Sequence, residues 1–297
     1  MNTTYPYAVF GVSGRTGAAA ADALLRAKQP VRVVVRDLEN GRPWSARGAE
    51  VVVADLTDLD SVTAALRQVR GAYVISPQHY SRENLFELAE LIADVIANAA
   101  VATSVPKLVA LSSIGADRES GTGWIQMNRL FEQRLGGTGI PVTFLRAAYF
   151  MENWTPMVER ALRSGALPSF LVPPQRLVSM VATADVGQAG ADLLLEEWTG
   201  TRAVTLAGPE EYSPNDVAAA MEAVLKRPIG VAALPEADWP AALVDAHFST
   251  AALAGFTTMT QGLNSRHIAV GTDPGAEQRW GTTPLAHLIA ELVKRQR

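Results

Sequence analysis

Gly11-Val12-Ser13-Gly14-Arg15-Thr16-Gly17 is the stretch on which the fold turns. It follows the apolar run Tyr7–Phe10 and opens an amphipathic segment, Thr16–Ala27. A strand, a glycine turn and a helix in immediate succession make a cradle for phosphate groups. The glycines give a tight turn, let a ligand approach the backbone, and let helix and strand pack closely. The helix start adds unpaired N–H groups and a partial positive charge. A glycine-rich turn without a ligand would share this composition, but not the repeating context behind it.

Working outward, short β-branched runs alternate with amphipathic stretches. Strands are expected at Tyr7–Phe10, Val31–Val35, Val51–Ala54, Ala72–Ile75, Lys107–Leu111 and Val142–Leu145. Their near-continuous apolar character suits parallel strands buried on both faces. Helices are expected at Thr16–Ala27, Asp58–Val69, Asn84–Ala100 and Gly123–Leu135, with Asp58 or Ser61 as an N-cap. Such alternation implies right-handed βαβ units and a doubly wound sheet. After Phe150 the rhythm breaks, with Pro156, Pro168, Pro173 and Pro174 close together. A helix at Ala184–Glu197, a strand at Ala203–Leu206 and a helix capped by Ser213 with Pro214 at its first position follow. The Gly- and Thr-rich stretch Gly255–Thr283 reads as irregular. The expected fold is α/β, a doubly wound parallel sheet of Rossmann type with a smaller C-terminal α/β lobe. Residues 1–149 with 183–198 would form the nucleotide domain, and 150–182 with 199–297 the substrate or partner lobe.

Composition narrows the function. The chain has 297 residues, 48% hydrophobic and 19% charged, with net charge −4. That is a globular balance without the basic footprint of a nucleic-acid or membrane-surface binder. There is no cysteine, which excludes thiolate catalysis, disulfides and zinc–thiolate sites. Leu85–Val101, the most apolar helical stretch, is interrupted by Glu87, Glu90, Asp94 and Asn98, so no membrane span is expected. The N-terminus lacks a basic, apolar leader pattern, and a cytoplasmic location is the expectation. His247, His267 and His287 lack metal-ligand spacing, and no metal is expected.

In this context the glycine loop points to a dinucleotide, held by Gly11, Ser13, Gly14, Arg15, Thr16 and Gly17. A site for NAD places a carboxylate at the end of the second strand. Here Val35 is followed by Arg36 and then Asp37, and a guanidinium matches a 2′-phosphate. NADP(H), with NADPH preferred over NADH, is therefore expected, with Arg15 able to reach the same phosphate. The alternative leaves Arg36 solvated and gives the ribose to Asp37. Asp55 and Leu56 are expected against the adenine, although Asp55 also suits a helix cap.

Several further stretches extend the pattern. They are Ala54-Asp55-Leu56-Thr57-Asp58, Leu111-Ser112-Ser113-Ile114-Gly115, Gly139–Arg146, Phe150-Met151-Glu152-Asn153, Ala184-Asp185-Val186-Gly187, Leu206–Glu210 and Lys226–Ile229. With the glycine loop, they resemble the NmrA-like family of atypical short-chain dehydrogenases/reductases, over most of the chain as far as about Gly255. The resemblance implies the fold and a nicotinamide cofactor. It implies the reaction less narrowly, because the family includes quinone reductases and also non-catalytic, dinucleotide-binding regulators. It places Ser76, Pro77, Ser112, Asn128, Tyr149, Phe150 and Asn153 near the cofactor.

Ordinary members of the wider superfamily pair a Tyr with a Lys four residues on. The six tyrosines here, Tyr5, Tyr7, Tyr73, Tyr80, Tyr149 and Tyr212, are followed at that spacing by Val9, Gly11, Pro77, Asn84, Asn153 and Asp216. The proton relay is missing, and Asn128 stands where relatives carry Lys or His. Asn cannot titrate; it can donate a hydrogen bond or orient water. This disfavours simple ketones and also sugar-nucleotide epimerisation, and leaves hydride transfer to a quinone-like or conjugated carbonyl acceptor. His79, Tyr80, Ser112 and Asn128 are the candidate catalytic residues, His79 because imidazole titrates near neutrality. His79 and Tyr80 also suit an ordinary surface loop, and Ser112 a turn. Trp124, Tyr149, Phe150, Met151 and Trp154 would wall a pocket for a flat substrate, or pack the core between lobes. The rival expectation is a regulator that senses NADP(H) and signals to a protein partner.

Overall fold

The computed structural model describes residues 5–296. Six strands alternate with five helices in the first half: β1 (Tyr7–Phe10), α1 (Arg15–Arg26), β2 (Val31–Val35), α2 (Leu38–Ser45), β3 (Glu50–Val53), α3 (Leu59–Leu66), β4 (Gly71–Val74), α4 (Leu85–Thr103), β5 (Leu108–Ser113), α5 (Gln126–Gly136) and β6 (Val142–Ala147). All pairings among these strands are parallel. The order β3-β2-β1-β4-β5-β6 reverses between β1 and β4. Ligands of such sheets bind beyond the carboxyl ends of the strands at that reversal. Helices cover both faces because residues alternate along each strand. Val33 and Val35 join the core on the α1 side, whereas Val34 joins the core with α3, α4 and α5.

The second half contributes β7 (Tyr149–Phe150), α6 (Thr155–Ser164), β8 (Ala166–Ser169), β9 (Val178–Val181), α7 (Thr183–Leu195), β10 (Thr201–Ala207), β11 (Glu211–Tyr212), α8 (Pro214–Leu225), β12 (Gly230–Ala233), α9 (Trp239–Ala242), α10 (Thr250–Asn264), β13 (Glu277–Trp280) and α11 (Leu285–Arg295). A three-stranded sheet, β11-β9-β7, and a two-stranded sheet, β12-β8, form the smaller lobe. Strands β10 and β13, expected outside the nucleotide domain, extend the large sheet beside β6 and bring it to eight strands. Helix α7 returns to the sheet as expected and packs along α1.

Two expectations are corrected. The 255–283 stretch is irregular only in part: α10 runs to Asn264 and β13 forms a sheet edge, with turns and bends over 265–276 between them. Gly255 and Gly262 are close-approach positions within α10. A Cβ on Gly255 would lie 3.3 Å from the Trp124 backbone, and one on Gly262 would lie 2.9 Å from the Gly121 carbonyl. Helix α2 was not foreseen; Asp37 caps it by accepting the Glu39 N–H at 2.9 Å. No helix among the described residues is long and apolar enough to cross a membrane.

Candidate active site

The glycine loop turns on Gly11, whose φ of +72° lies in the left-handed region that only glycine enters freely. Its carbonyl accepts the Gly14 N–H at 2.9 Å, closing the turn. Gly17 is required for a different reason, since a Cβ there would strike the Gly11 and Phe10 carbonyls. Helix α1 has no side-chain cap and no acidic residue in its first turn. Helices α2, α3, α8 and α10 are instead capped by Asp37, Asp58, Ser213 and Ser249. Ser13, Gly14 and Arg15 at this end are exposed. An uncapped helix start behind a glycine turn suits an anionic group.

One strand away, Arg36 is exposed, whereas the neighbouring Asp37 carboxylate is engaged in the α2 cap. Asp55 accepts the Thr57 N–H at 2.9 Å and its hydroxyl at 2.8 Å. These bonds, with smaller contributions from Arg36 and His79, hold its carboxyl below the usual range. Leu56 beside it is half-buried. His79 is pressed below its usual pKa by burial and then by Arg36 and Arg82, against Asp55. Arg36, Arg82 and Asp55 are the charged groups that act on it.

Beyond β4, Ser76 and Pro77 are half-buried, and Ile75 covers Gly11. Ser76 Oγ and Gln78 Oε1 are buried without a hydrogen-bond partner. Orphaned polar atoms are uncommon in folded proteins and beside the glycine loop fit an absent polar ligand. Ser112 departs from its expected role. Its hydroxyl donates to Glu132 Oε1 at 2.6 Å and is 3% exposed. Arg146 completes the network, donating through Nε to Glu132 Oε1 at 2.8 Å and through a terminal nitrogen to Oε2 at 2.6 Å. Its other terminal nitrogen reaches Asp273 at 2.6 Å. Ser112 thus faces α5 and an ion pair. Asn128 lies one helical turn before Glu132, on the same face of α5. Helices in βαβ units run opposite to the strands, so that turn carries Asn128 past Ser112 toward the carboxyl edge of β5.

The outer wall is aromatic. Tyr80 stacks on Trp124 with centroids 3.9 Å apart and planes at 29°. Phe248 packs edge-on against both, and Phe256 against Trp124 at 5.7 Å. Burial pushes the Tyr80 phenol well above its ordinary pKa, and its ring forms part of this wall. Met151 and Trp154, expected either in a substrate wall or in the core between lobes, are 0% and 3% exposed and belong to the core. Tyr149 and Phe150 are half-buried and pair with β9, and Asn153 is exposed. Burial raises the Tyr149 phenol, opposed by a hydrogen bond with Asn153. The loop bearing Ser76 and Tyr80 is tied to the second lobe. Ser249 N–H donates to the Tyr80 carbonyl at 2.8 Å, and the Glu83 carboxylate caps α10 by accepting from Thr250 at 2.9 Å and Ala251 at 3.2 Å. Sequence reasoning missed Glu83, Phe248 and Phe256; the acidic residue before Asn84 and the Ser249-Thr250 helix start were signals, but their union is tertiary. Among the described residues no group of three or more His, Asp or Glu side chains is placed to hold a metal.

The sequence profile of the NmrA-like family matches residues 5–266. The chain belongs to that family. Among the NmrA-like relatives, NAD(P)H azoreductase of Xenophilus azovorans is 27% identical over 76% of either chain. Quinone oxidoreductase 2 of Escherichia coli is 26% identical over 80% of either chain. The structure of Citrobacter sp. triphenylmethane reductase complexed with NADP(H) is 21% identical, with a TM-score of 0.80 over 99% of this chain and 100% of that one. The NmrA-like motifs have structural explanations here. In Ala184-Asp185-Val186-Gly187, Asp185 accepts the Thr283 N–H at 2.9 Å, and Gly187 lets α7 touch the α1 backbone. In Phe150-Met151-Glu152-Asn153, Glu152 accepts the Thr183 N–H at 3.0 Å and so caps α7.

Proposed function

We propose that this protein is an NADPH-dependent oxidoreductase that delivers hydride to a quinone-like or conjugated acceptor without a Tyr–Lys relay. The carrying observation is the division of labour after β2, where Asp37 caps α2 and Arg36 is left exposed beside the uncapped start of α1. Backbone groups of Gly11–Gly17 would hold the diphosphate, and Arg36 with Arg15 the 2′-phosphate. Ser76, Pro77, Gln78, Tyr149, Phe150 and Asn153 would line the nicotinamide end, and Asp55 with Leu56 the adenine. When bound, the nicotinamide supplies the hydride.

The residues around the carboxyl edge of β5 explain which acceptors suit it. Asn128 can donate a hydrogen bond to a developing oxyanion but cannot give up a proton. Tyr80 is a weak acid by burial, and His79 lies with Arg36. An acceptor whose reduced form is a stable anion, taking its proton from water, needs no stronger acid. Tyr80, Trp124, Phe248 and Phe256 offer flat apolar surface for such a molecule. The relatives' names, NAD(P)H azoreductase and quinone oxidoreductase 2, agree with this class. Following NADPH oxidation with a panel of quinones, azo compounds and enones tests the reading. Turnover with at least one, and none with simple ketones, is expected; no turnover with any acceptor contradicts it.

The hydrogen bonds from Ser249 and α10 to residues 80–83 favour a second reading, in which nucleotide occupancy is relayed to a protein partner. Hydrogen exchange of Ala252 and Leu253 with and without NADP+ distinguishes it. Unchanged protection there removes the relay.

A further inference from the structure

A cavity of about 530 Å3 opens in the second lobe, and Val172, Leu234, Glu236, Trp239, Gln261 and Asn264 are among the residues that line it. It shares no residue with the glycine loop, the carboxyl edge of β5 or the Tyr80–Trp124 stack. Its volume is that of a small-molecule site. Trp239 is 2% exposed, and its indole N–H is taken by the Leu234 carbonyl at 2.9 Å, so the ring meets a ligand through carbon. The Asn264 amide is engaged at both ends, accepting from Val172 N–H at 2.9 Å and donating to the Phe170 carbonyl at 3.0 Å. Ser265 Oγ donates to the Gln261 carbonyl at 2.9 Å. The wall is therefore apolar surface whose polar groups satisfy one another.

One group stands apart. Glu236 accepts a single bond, from Gln261 Nε2 at 2.8 Å through Oε1, and no lysine or arginine among the described residues pairs with it. The whole stretch from Pro228 to Ser265 carries Glu236, Asp238 and Asp245 and no Lys or Arg. The flanking arginines are engaged elsewhere: Arg227 donates to the Leu162 carbonyl at 2.9 Å, and Arg266 lies 3.6 Å from Glu211. Arg176, which is not among the lining residues, donates to the Val172 carbonyl at 3.5 Å. A largely apolar cavity with one carboxylate, Glu236, among its lining residues accepts an apolar body with one positive charge and resists an anion.

We infer that this cavity is a binding site for hydrophobic organic cations, separate from the nucleotide groove. It adjoins the outer wall of the candidate active site, because Trp239 packs edge-on against Phe256 at 6.1 Å and Phe256 against Trp124 at 5.7 Å. A cation bound there is sensed by the aromatic cluster that faces the acceptor.

The test uses two ions of one shape and opposite charge, tetraphenylphosphonium and tetraphenylborate, titrated into the full chain saturated with NADP+ and followed by tryptophan fluorescence and calorimetry. The phosphonium should bind about three- to tenfold more tightly, the range for a solvent-exposed carboxylate acting on two opposite charges. Glu236→Gln should remove that preference and leave NADP+ affinity unchanged. Ala233→Phe, which fills the cavity from an exposed strand position, should weaken both ions. Equal or tighter borate binding, a preference that survives Glu236→Gln, or phosphonium affinity indifferent to Ala233→Phe overturns the inference. None of these readouts requires turnover, so the proposed reaction can fail while this site stands, and the reverse.

Discussion

Replacing Gly187 by Ala should harm nucleotide binding from a position that no nucleotide touches. The added methyl would sit 2.6 Å from both Ala20 N and Thr16 O, and would also strike Ala19. Two of these three neighbours are backbone, so no side chain can turn aside. Reaching an ordinary separation of 3.4 Å requires α7 to withdraw from α1 by about 0.8 Å at the two backbone atoms and by about 1.1 Å at Ala19. A gap of that size forfeits about a quarter to a half of each van der Waals contact across the interface. Overpacking of this kind costs about 1–3 kcal/mol, and the rigid neighbours put Gly187→Ala near about 3. In a chain this long the melting temperature should fall by about 6 °C. Thr16 belongs to the first turn of α1, so the N–H groups behind the glycine loop shift with it and NADPH affinity should fall too. Gly230→Ala is the control: nothing lies within 4 Å of its Cβ position and its φ is not positive, so stability should hold or rise slightly. Thermal denaturation and NADPH titration of both variants read the result. A Gly187→Ala protein as stable and as tight-binding as its parent would refute the reasoning.

Other perturbations follow from the same geometry. Arg146→Met strands Glu132 in the interior and should cost about 3–5 kcal/mol in urea denaturation, most of it restored in Glu132→Met/Arg146→Met; additive losses would contradict the pairing. His79→Gln should leave kcat nearly unchanged, with no inflection near pH 6.5, whereas a loss of about 100-fold would return His79 to the reaction as its acid. Glu83 is held below the usual carboxylate range by the Thr250 and Ala251 N–H groups. Its contribution to stability is therefore present above the ordinary carboxylate pKa and lost as pH falls through its lowered one. Glu83→Gln should flatten that part of the acid-unfolding curve, and an unchanged curve would contradict the cap.

The nucleotide half was legible because local chemistry and global fold agree there. Gly11 and Gly17 need glycine for the turn and the close approach, and the valine run of β2 is buried on both faces wherever it packs. The errors arose where one residue type serves two purposes. Asp37, an alternative for the ribose in the sequence, caps α2, and the stretch that read as irregular from Gly255 onward begins inside α10, where Gly255 and Gly262 let the helix approach residues 121–124. Ser112 was placed at the right strand end, but its direction depends on Glu132 and Arg146, fourteen residues apart and joined only by packing. The aromatic wall was legible at Trp124 alone, because Tyr80, Phe248 and Phe256 come from segments that only the tertiary fold unites.

The central claim is that the start of α1 and Arg36 together bind a 2′-phosphorylated nicotinamide dinucleotide. Calorimetric titration with NADPH and NADH, on the parent and on Arg36→Ser, tests it most directly. NADPH should bind about 10- to 100-fold more tightly than NADH, as a charge-assisted bond to one phosphate supplies, and Arg36→Ser should erase most of that difference. Equal affinity for the two nucleotides, or no heat with either, would contradict the account.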